Sequence, residues 1–319
     1  MKITVIGCGR WGSFIAWYLN KINNDVYLYG RKNSLNLKKI ILERKNEFLN
    51  FPENMIIGSD LDAAISHGDI IIISISSQQT RNLMQQLNQY DLQGKTIILC
   101  MKGIEESTGM RLTQFVKEYL GSNISVAIWV GPGHVQDFIR GIPNCMVIDS
   151  ENSKTKKFLV EKFSSTLIRF YIGNDLIGNE IGAAAKNVIG IASGMLDGIG
   201  YESLKGALMS RGTIEISRLI KAMGGQDISA YGLCHLGDYQ ATLFSKHSHN
   251  RMFGEMFVKH ENYNELAEGI ATTQALCKLG EQYNVDLPIC KAVRKVIFDN
   301  ANVHQILSDL FLRSIKSEF

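Results

Sequence analysis

The sequence has 319 residues, of which 45% are hydrophobic and 20% charged, and its formal net charge is +3. These values are typical of a globular protein with room for two domains, and without a long basic run they exclude a nucleic-acid-binding footprint. No apolar run approaches the roughly 20 residues of a membrane-spanning helix. The six cysteines are scattered without a CxxC pair, which favours reduced thiols in a cytoplasmic protein.

The first predicted elements are a strand, a glycine turn and a helix. The run "KITVIG" is followed by "GCGRWG", with Gly7, Gly9 and Gly12 at GxGxxG spacing, and then by the helical pattern "SFIAWYLNK". Such glycines permit a tight turn, close approach of a pyrophosphate and close helix–strand packing, while the helix N-terminus attracts phosphate. An ordinary strand–helix turn is the alternative, but this context favours dinucleotide binding.

The end of the second predicted strand bears on the choice of dinucleotide. After "DVYLY" the chain continues "GRK", so it lacks the carboxylate that would bind the ribose 2′-hydroxyl of NAD. Arg31 at this point would tolerate the 2′-phosphate of NADP, or it would stack on the adenine. We therefore predict NADP or NAD as the cofactor and leave the preference open.

Further apolar runs predict buried strands of a mostly parallel sheet, at residues 69–76, 96–100, 125–130 and 145–150. Ligands of such sheets bind at the loops that follow the carboxyl ends of the strands. Lys102 directly follows one run and is a candidate contact for an anion or a carbonyl, or else a solvated lysine. Gly131 and Gly133 flank a proline after another run, which suits an anion or amide ligand, or simply a turn.

The β pattern stops after residue 175, and the remaining sequence has helical periodicity. We therefore predict an α/β fold with a dinucleotide-binding Rossmann-type domain at residues 1–176. An all-helical domain for substrate binding and catalysis would follow at residues 177–319. A substrate cleft between the two domains is the natural expectation.

One lysine in the helical half is out of keeping with its neighbours. The segment "IGAAAKNVIGIASG", residues 181–194, is apolar nearly all round and predicts a buried helix, yet Lys186 lies in its middle. A buried lysine needs a polar or charged partner, and its pKa moves toward neutrality, so it can act as a general acid or base. A lysine that extends to solvent from the helix end is the alternative.

Candidate partners for Lys186 follow later in the chain. Asp238 comes after "GLCHLG" and would either cap a helix or hold the lysine ammonium in place. The run "SHNR", Ser248 to Arg251, offers donors for the oxygens of an anionic substrate. No spacing rule supports a metal site formed by the nearby histidines, so we predict no metal.

Together these motifs resemble NAD(P)-dependent glycerol-3-phosphate dehydrogenases of the bacterial type over nearly the whole chain. The matching segments are "GCGRWG", "YGRK", "MKG", "GPG", "GAAAKNVIGIASGMLDGIG", "LMSRGTIEISRL", "GLCHLGD", "SHNRMFG" and "AEGIATT". The resemblance implies reduction of dihydroxyacetone phosphate to sn-glycerol 3-phosphate, the entry step to glycerophospholipids. We further expect a cytoplasmic homodimer that neither binds nucleic acid nor spans a membrane.

The resemblance also implies roles for individual residues. Lys186 would be the proton donor and acceptor, aided by Asp238 and Lys102. The substrate would contact Lys102, Gly131, Gly133, Asn187, Thr242, Ser248, His249 and Asn250. The cofactor would contact Gly7, Gly9, Arg10, Trp11, Gly12, Arg31, Lys102, Val135, Arg251 and Glu268.

Several positions depart from the family pattern. His249 stands where an arginine usually holds the phosphate, and histidine is a poorer, pH-dependent phosphate ligand. Arg10 replaces a serine at the pyrophosphate, Ser76 replaces a proline, and "GPG" replaces Gly-Pro-Ser. The altered phosphate contacts imply either a lower affinity for the usual substrate or a related keto or aldehyde phosphate as the true substrate. A cofactor-binding sensor or scaffold without activity is a further alternative.

Overall fold

The first strands and helices of the chain build an eight-stranded sheet. The computed structural model describes residues 1–314 and Ser317. The strands are β1 (Lys2–Ile6), β2 (Asp25–Tyr29), β3 (Ile56–Gly58), β4 (Ile70–Ile73), β5 (Thr96–Leu99), β6 (Ser125–Val130), β7 (Asn144–Asp149) and β8 (Ile168–Ile172). Their order is β3-β2-β1-β4-β5-β6-β7-β8, and only β6 with β7 is antiparallel among these neighbours. The predicted mostly parallel sheet is confirmed.

Helices cover both faces of this sheet. β4 consists of four consecutive isoleucines, all buried, and successive strand residues point to opposite faces, so both faces are shielded from water. The shared core includes Phe14, Trp129 and Phe163. The helices of this part are α1 (Arg10–Lys21), α2 (Leu35–Glu43), α3 (Leu61–His67), α4 (Thr80–Leu87), α5 (Leu112–Leu120), α6 (Val135–Ile139) and α7 (Ser153–Phe163).

Strand β3 was not among the strands predicted from the hydrophobic pattern. It has only three residues and lies at the edge of the sheet beside β2. Two of its three residues are isoleucines, but Ile56 is 44% exposed, and so short an apolar run does not by itself identify a strand. Pairing with a neighbouring strand, which local sequence does not encode, creates this element.

The strand order reverses between β1 and β4. From β1 the chain goes to β2 and β3 on one side, and then returns to β4 on the other side. In open α/β sheets, ligands bind in the crevice beyond the carboxyl ends of the strands at such a reversal. Gly7 follows β1 and Ser74 follows β4, so the glycine turn lies at this point of the sheet.

The rest of the described chain is helical, as predicted. The chain divides into two compact units: unit 1 comprises Met1–Lys102 and Met110–Glu180, and unit 2 comprises Gly103–Gly109 and Ile181–Phe319. The two units are defined by compactness alone, so the boundary between the functional domains, placed after residue 176, stays a prediction. The helices from residue 176 onward are α8 (Leu176–Gly198), α9 (Lys205–Ala222), α10 (Tyr239–Leu243), α11 (His249–Val258), α12 (Gly269–Gln282), α13 (Pro288–Phe298) and α14 (Val303–Phe311).

The segment 103–109 packs with the helices of unit 2 although it follows strand β5 in sequence. Lys278 in α12 donates a hydrogen bond from Nζ to the carbonyl oxygen of Ser107. Gly109 lies so close to α12 that an added Cβ would be 3.2 Å from the Leu279 side chain. This segment therefore belongs to the core of unit 2.

Helix α8 is the buried centre of unit 2. Most of its residues from Ile181 to Leu196 are buried, which accounts for the apolar pattern all round the helix. Although α8 has 23 residues, no helix in the described part of the chain combines the length and apolarity needed to cross a bilayer. Pro288 begins α13, where its fixed φ and missing N–H are tolerated.

Candidate active site

The glycine turn after β1 has the geometry that its spacing predicts. Gly7 has a φ of +119°, and a Cβ there would be 2.0 Å from the carbonyl oxygen of Ser74. A Cβ on Gly12 would be 2.0 Å from the Gly7 carbonyl oxygen, whereas one on Gly9 would meet no atom within 4 Å. Close packing therefore requires glycine at positions 7 and 12, whereas Gly9 faces open space.

Open space at Gly9 coincides with the start of α1. Gly9 is the N-cap residue and has no side chain to accept from the first backbone N–H groups of the helix. The nearby Trp11 Nε1 is buried and has no hydrogen-bond partner in the described part of the chain. Buried donors without an acceptor are rare, and the oxygens of a bound phosphate would satisfy such groups. These residues fit a dinucleotide pyrophosphate.

Two arginines predicted to contact the cofactor are exposed on unit 1. The Arg10 guanidinium lies 5.2 Å from the centre of the Phe48 ring, so this side chain packs on an aromatic surface. Arg31 follows β2 and lines a cavity of about 540 Å³ together with Lys32 and residues 33–36. A positively charged cavity at the end of β2 suits the ribose end of a dinucleotide, with or without a 2′-phosphate.

The loops after β5 and β6 meet in unit 1. Lys102 Nζ donates a 2.6 Å hydrogen bond to the carbonyl oxygen of Gly131. Gly131 and Gly133 have φ values of +121° and +153°, and a Cβ on Gly133 would be 2.5 Å from the Phe138 ring. Val135 then begins α6 and is buried. The structure thus brings together the predicted residues of the "MKG" and "GPG" segments.

Lys186 is buried in α8 beside Asp238, its predicted partner, and Thr242, a residue predicted to contact the substrate. Its side chain is about 10% exposed, and its Nζ lies 3.1 Å from Asp238 Oδ2. The same Nζ donates a 2.7 Å hydrogen bond to Thr242 Oγ1, which in turn donates to the Asp238 carbonyl oxygen at 2.8 Å. Asp238 is the N-cap residue of α10, but its side chain makes no capping bond. The carboxylate thus pairs with the lysine and does not cap the helix.

Glycines along one side of α8 allow the segments that carry Thr242 and Arg251 to pack close to the helix, and so bring Asp238 and Thr242 to Lys186. A Cβ on Gly190 would be 2.8 Å from Thr242 Cγ2, and one on Gly194 would be 1.9 Å from the carbonyl oxygen of Arg251. Lys186 is the one non-glycine residue in this four-residue repeat. The glycines of the repeat are Gly178, Gly182, Gly190, Gly194 and Gly198.

A buried histidine joins the Asp238 turn to α8. His235 Nδ1 lies 2.9 Å from the carbonyl oxygen of Gly182, one helical turn before Lys186, and its Nε2 lies 2.6 Å from Tyr239 Oη. Burial lowers the pKa of His235 to about 4, so the ring is neutral at pH 7. The neutral ring then donates from Nδ1 and accepts from the tyrosine hydroxyl. From the sequence, His235 was considered only as a metal ligand, and Tyr239 was missed. The available signal was that these two residues are four positions apart, with Asp238 between them.

Two predicted substrate residues contact the start of α12. Asn250 Oδ1 accepts a 2.8 Å hydrogen bond from the backbone N–H of Gly269. A Cβ on Gly269 would be 2.8 Å from the carbonyl oxygen of Asn187. Asn187 and Asn250 are therefore neighbours, and Glu268 lies beside them at the N-cap position of α12.

The segment with the altered phosphate motif is held by its own contacts. Ser248 caps α11 by accepting from the backbone N–H of Arg251 at 3.3 Å. His249 Nδ1 lies 2.5 Å from Tyr263 Oη. Arg251 Nη1 pairs with Asp197 Oδ2 at 2.5 Å, within unit 2. The role of Arg251 at the cofactor stays a prediction, because its guanidinium already has a carboxylate partner.

The groups at Lys186 are an amine, a carboxylate and a hydroxyl held within hydrogen-bond distance of one another. Among the residues that the structure describes, no three His, Cys, Asp or Glu side chains are grouped so that they could share a metal ion.

Comparisons with known proteins agree over the length of the chain. Two family models match, described as the N-terminus of NAD-dependent glycerol-3-phosphate dehydrogenase over residues 2–156 and its C-terminus over residues 175–308. The glycerol-3-phosphate dehydrogenase (NAD(P)+) of Prosthecochloris aestuarii is 35% identical, with 100% of both chains covered. That of Fusobacterium nucleatum is 33% identical, over 100% of this chain and 98% of the relative. The crystal structure of glycerol-3-phosphate dehydrogenase from Coxiella burnetii is 25% identical, with a TM-score of 0.90 and 98% of each chain covered.

Proposed function

The chain belongs to the NAD-dependent glycerol-3-phosphate dehydrogenase family, and from this we propose that it reduces dihydroxyacetone phosphate to sn-glycerol 3-phosphate. The reductant is NADPH or NADH, and the product is a precursor of glycerophospholipids. The similarity to relatives with this activity covers the whole chain. The substrate is thus a small phosphorylated three-carbon ketone, and we expect a cytoplasmic homodimer.

The observation that carries this proposal is the buried Lys186 with its two partners. When bound, the dinucleotide would supply the hydride that is added to the ketone carbon. The ketone oxygen then needs a proton, and the Lys186 ammonium holds one at Nζ. Asp238 and Thr242 fix the direction of Nζ, because each lies within about 3 Å of it. In the reverse direction, the neutral amine accepts the proton of the alcohol.

The remaining predicted residues would bind and orient the two reactants. The glycine turn, the start of α1 and Arg31 would hold the dinucleotide, with Lys102, Val135, Arg251 and Glu268 as further predicted contacts. Asn187, Ser248, His249 and Asn250 would hold the substrate, together with Gly131 and Gly133. Binding by many weak contacts aligns the carbonyl with Nζ and so lowers the entropic part of the barrier.

The proposal is tested by mixing the protein with dihydroxyacetone phosphate and NADPH or NADH and following the absorbance of the reduced cofactor. We expect oxidation that depends on both components. Absence of oxidation at millimolar substrate with either cofactor would contradict the proposal.

Replacement of the lysine tests its role. Lys186→Met removes the proton donor, so we expect kcat to fall by about 10²- to 10⁴-fold, with the cofactor Kd measured by fluorescence within about threefold of wild type. Lys205→Met is the matched control, because Lys205 is equally buried at 8% and pairs with Asp197 at 2.6 Å. The control should lose stability but retain turnover within about tenfold. Equal loss of kcat in both variants would assign Lys186 a structural role only.

His249 favours a second candidate, a reductase of a related keto or aldehyde phosphate. A histidine bonded to Tyr263 stands where the family arginine usually holds phosphate. A panel of three- to six-carbon keto phosphates, assayed with both cofactors, distinguishes the two. A kcat/KM that is higher for another member of the panel than for dihydroxyacetone phosphate would favour the second candidate.

A further inference from the structure

Unit 2 contains a cavity that the proposed reaction does not use. It has a volume of about 520 Å³ and lies among α8, α9, α13 and α14. Small-molecule sites in proteins measure about 300–1,000 Å³, so this volume is large enough for a ligand. None of the residues predicted to contact substrate or cofactor lines it. We call it the C-terminal cavity.

The walls of the C-terminal cavity are apolar. Leu196, Leu208, Val293 and Leu307 contribute one side chain from each of the four helices. Helix α14 forms one wall, yet none of its residues is fully buried, and Phe311 is 69% exposed. Apolar surface in contact with water is unfavourable in proportion to its area. An elongated apolar ligand would cover the surface that α14 leaves uncovered.

Among the residues that the structure describes, the charged groups at the cavity without a partner are positive. Arg211 and Arg218 both line it from α9, are exposed, and form no ion pair or side-chain hydrogen bond with the residues that the structure describes. They are seven residues apart, so they lie two turns from each other, about 10 Å along one face of the helix. An anionic group at the cavity mouth would therefore meet a guanidinium without breaking an existing pair.

The acidic residues at the cavity already have partners. Asp286 pairs with Lys291 at 3.1 Å and with Arg313. Glu215 accepts hydrogen bonds from the backbone N–H groups of Ile289 and Cys290, at 2.8 and 3.0 Å. The cavity thus offers apolar walls and two guanidinium groups that pair with no described residue, which is complementary to a single-chain molecule with a negative head.

We propose that the C-terminal cavity binds a single-chain acyl lipid whose head group is a carboxylate or a phosphate. The chain packs between Leu196 and Leu208 of α8 and α9 and Leu307 of α14, and the head group pairs with Arg211 or Arg218. This binding does not depend on the proposed reaction, because the site shares no residue with the predicted reaction site.

The test measures binding to the full-length protein by isothermal titration calorimetry below the critical micelle concentration. Laurate, dodecyl phosphate and the neutral dodecanol are the probes. We expect saturable binding of one anion per chain, with dodecanol at least tenfold weaker. Binding of laurate alone or of dodecyl phosphate alone supports the proposal and identifies the head group. No saturable binding of either anion overturns it.

Two variants link the binding to the cavity. The double variant Arg211→Gln/Arg218→Gln should weaken the anions at least tenfold and leave dodecanol unchanged, since both side chains are exposed and their loss does not disturb packing. Leu208→Trp should fill the cavity and abolish binding of all three probes. Arg294→Gln is the control, because the Arg294 side chain is 40% exposed, belongs to the same unit and does not line the cavity.

Two results would contradict the assignment. Unchanged binding in the double variant would mean that the anions bind elsewhere. A protein that binds no probe but whose sedimentation changes with Leu208→Trp would show that a second copy of the chain covers the cavity. Turnover is not used in any of these measurements, so loss of the proposed dehydrogenase activity would leave their outcome intact.

Discussion

At the scale of the residue, the main energetic effect is the burial of one amine, the ammonium of Lys186. Moving a lysine ammonium out of water is unfavourable by several kcal/mol, and only close partners offset this cost. Lys186 has two such partners, Asp238 at 3.1 Å and Thr242 at 2.7 Å. Without either partner the buried ammonium of Lys186 would be incompletely compensated. A lysine in this position is therefore unfavourable for stability, which indicates a role beyond stability.

His249 stands where the family motif usually has an arginine, so its replacement by arginine tests the role of this position. In His249→Arg, a guanidinium with several fixed donors replaces a ring whose Nδ1 lies 2.5 Å from Tyr263 Oη. If this position faces the substrate phosphate, the KM for dihydroxyacetone phosphate should fall about three- to tenfold, with kcat within about twofold. Steady-state kinetics at saturating cofactor measures both constants.

A neighbouring histidine controls for the added charge. His247→Arg introduces the same charge two residues earlier and should leave KM within about twofold. An unchanged or higher KM in His249→Arg would remove His249 from the predicted phosphate site.

At the scale of secondary-structure elements, buried side chains tie helix ends and turns together. His235 connects the Asp238 turn to α8 through the Gly182 carbonyl, and Tyr239 holds the other side of its ring. Glu215 in α9 binds the free N–H groups at the start of α13. Glu180 does the same for α5 by accepting from the Thr113 backbone at 3.0 Å. These contacts hold the Asp238 turn and the first turns of α13 and α5 in place.

The His235 contact makes the stability of the protein dependent on pH. Because burial lowers the pKa of His235 from 6.5 to about 4, the unfolded chain binds this proton at a higher pH than the native protein. The free energy of unfolding therefore loses up to about 3 kcal/mol from this group as the pH falls from 6.5 to 4. His235→Gln removes that loss, so its stability relative to wild type should rise over the same range, as measured by urea unfolding at several pH values.

Glu215 provides a control of opposite sign. Burial raises its pKa from 4.5 to about 7, so the native protein binds this proton more readily, and stability rises as the pH falls from 7 to 4.5. Glu215→Gln should therefore lose stability relative to wild type over that range. A difference between His235→Gln and wild type that does not change with pH would contradict the buried neutral imidazole.

At the scale of the whole molecule, burial determines which thiols can react. Among the six free cysteines, Cys145 is the one that is partly exposed, and the others are buried. Burial raises the pKa of Cys277 to about 11 and raises the pKa values of Cys100 and Cys290 further. The thiolate is the nucleophile, so buried thiols of raised pKa are inert.

We predict that Ellman's reagent modifies about one thiol rapidly in the native protein at pH 8 and six thiols after denaturation. Cys145→Ser should abolish the rapid phase. Rapid modification of several thiols would show that the native packing opens easily, and fewer than six thiols in denaturant would show a disulfide.

Features that depend on short-range patterns could be predicted from the sequence. The spacing of Gly7, Gly9 and Gly12 between a strand and a helix indicated the turn, because backbone clearance there excludes any Cβ at two of the three positions. The lone Lys186 in an apolar helix indicated a buried amine for a similarly local reason. Consecutive apolar residues indicated strands covered on both faces.

Features that depend on distant contacts could not be predicted. The sequence allowed Asp238 to be a helix cap or a lysine partner, and only packing across 52 residues of chain decided for the partner. The same holds for Arg251 with Asp197, for the short edge strand β3 and for residues 103–109 beside α12. Local sequence patterns show which surface of each helix or strand must be buried. Which distant side chains and strands become partners depends on which of these surfaces meet, and only the folded chain as a whole decides that.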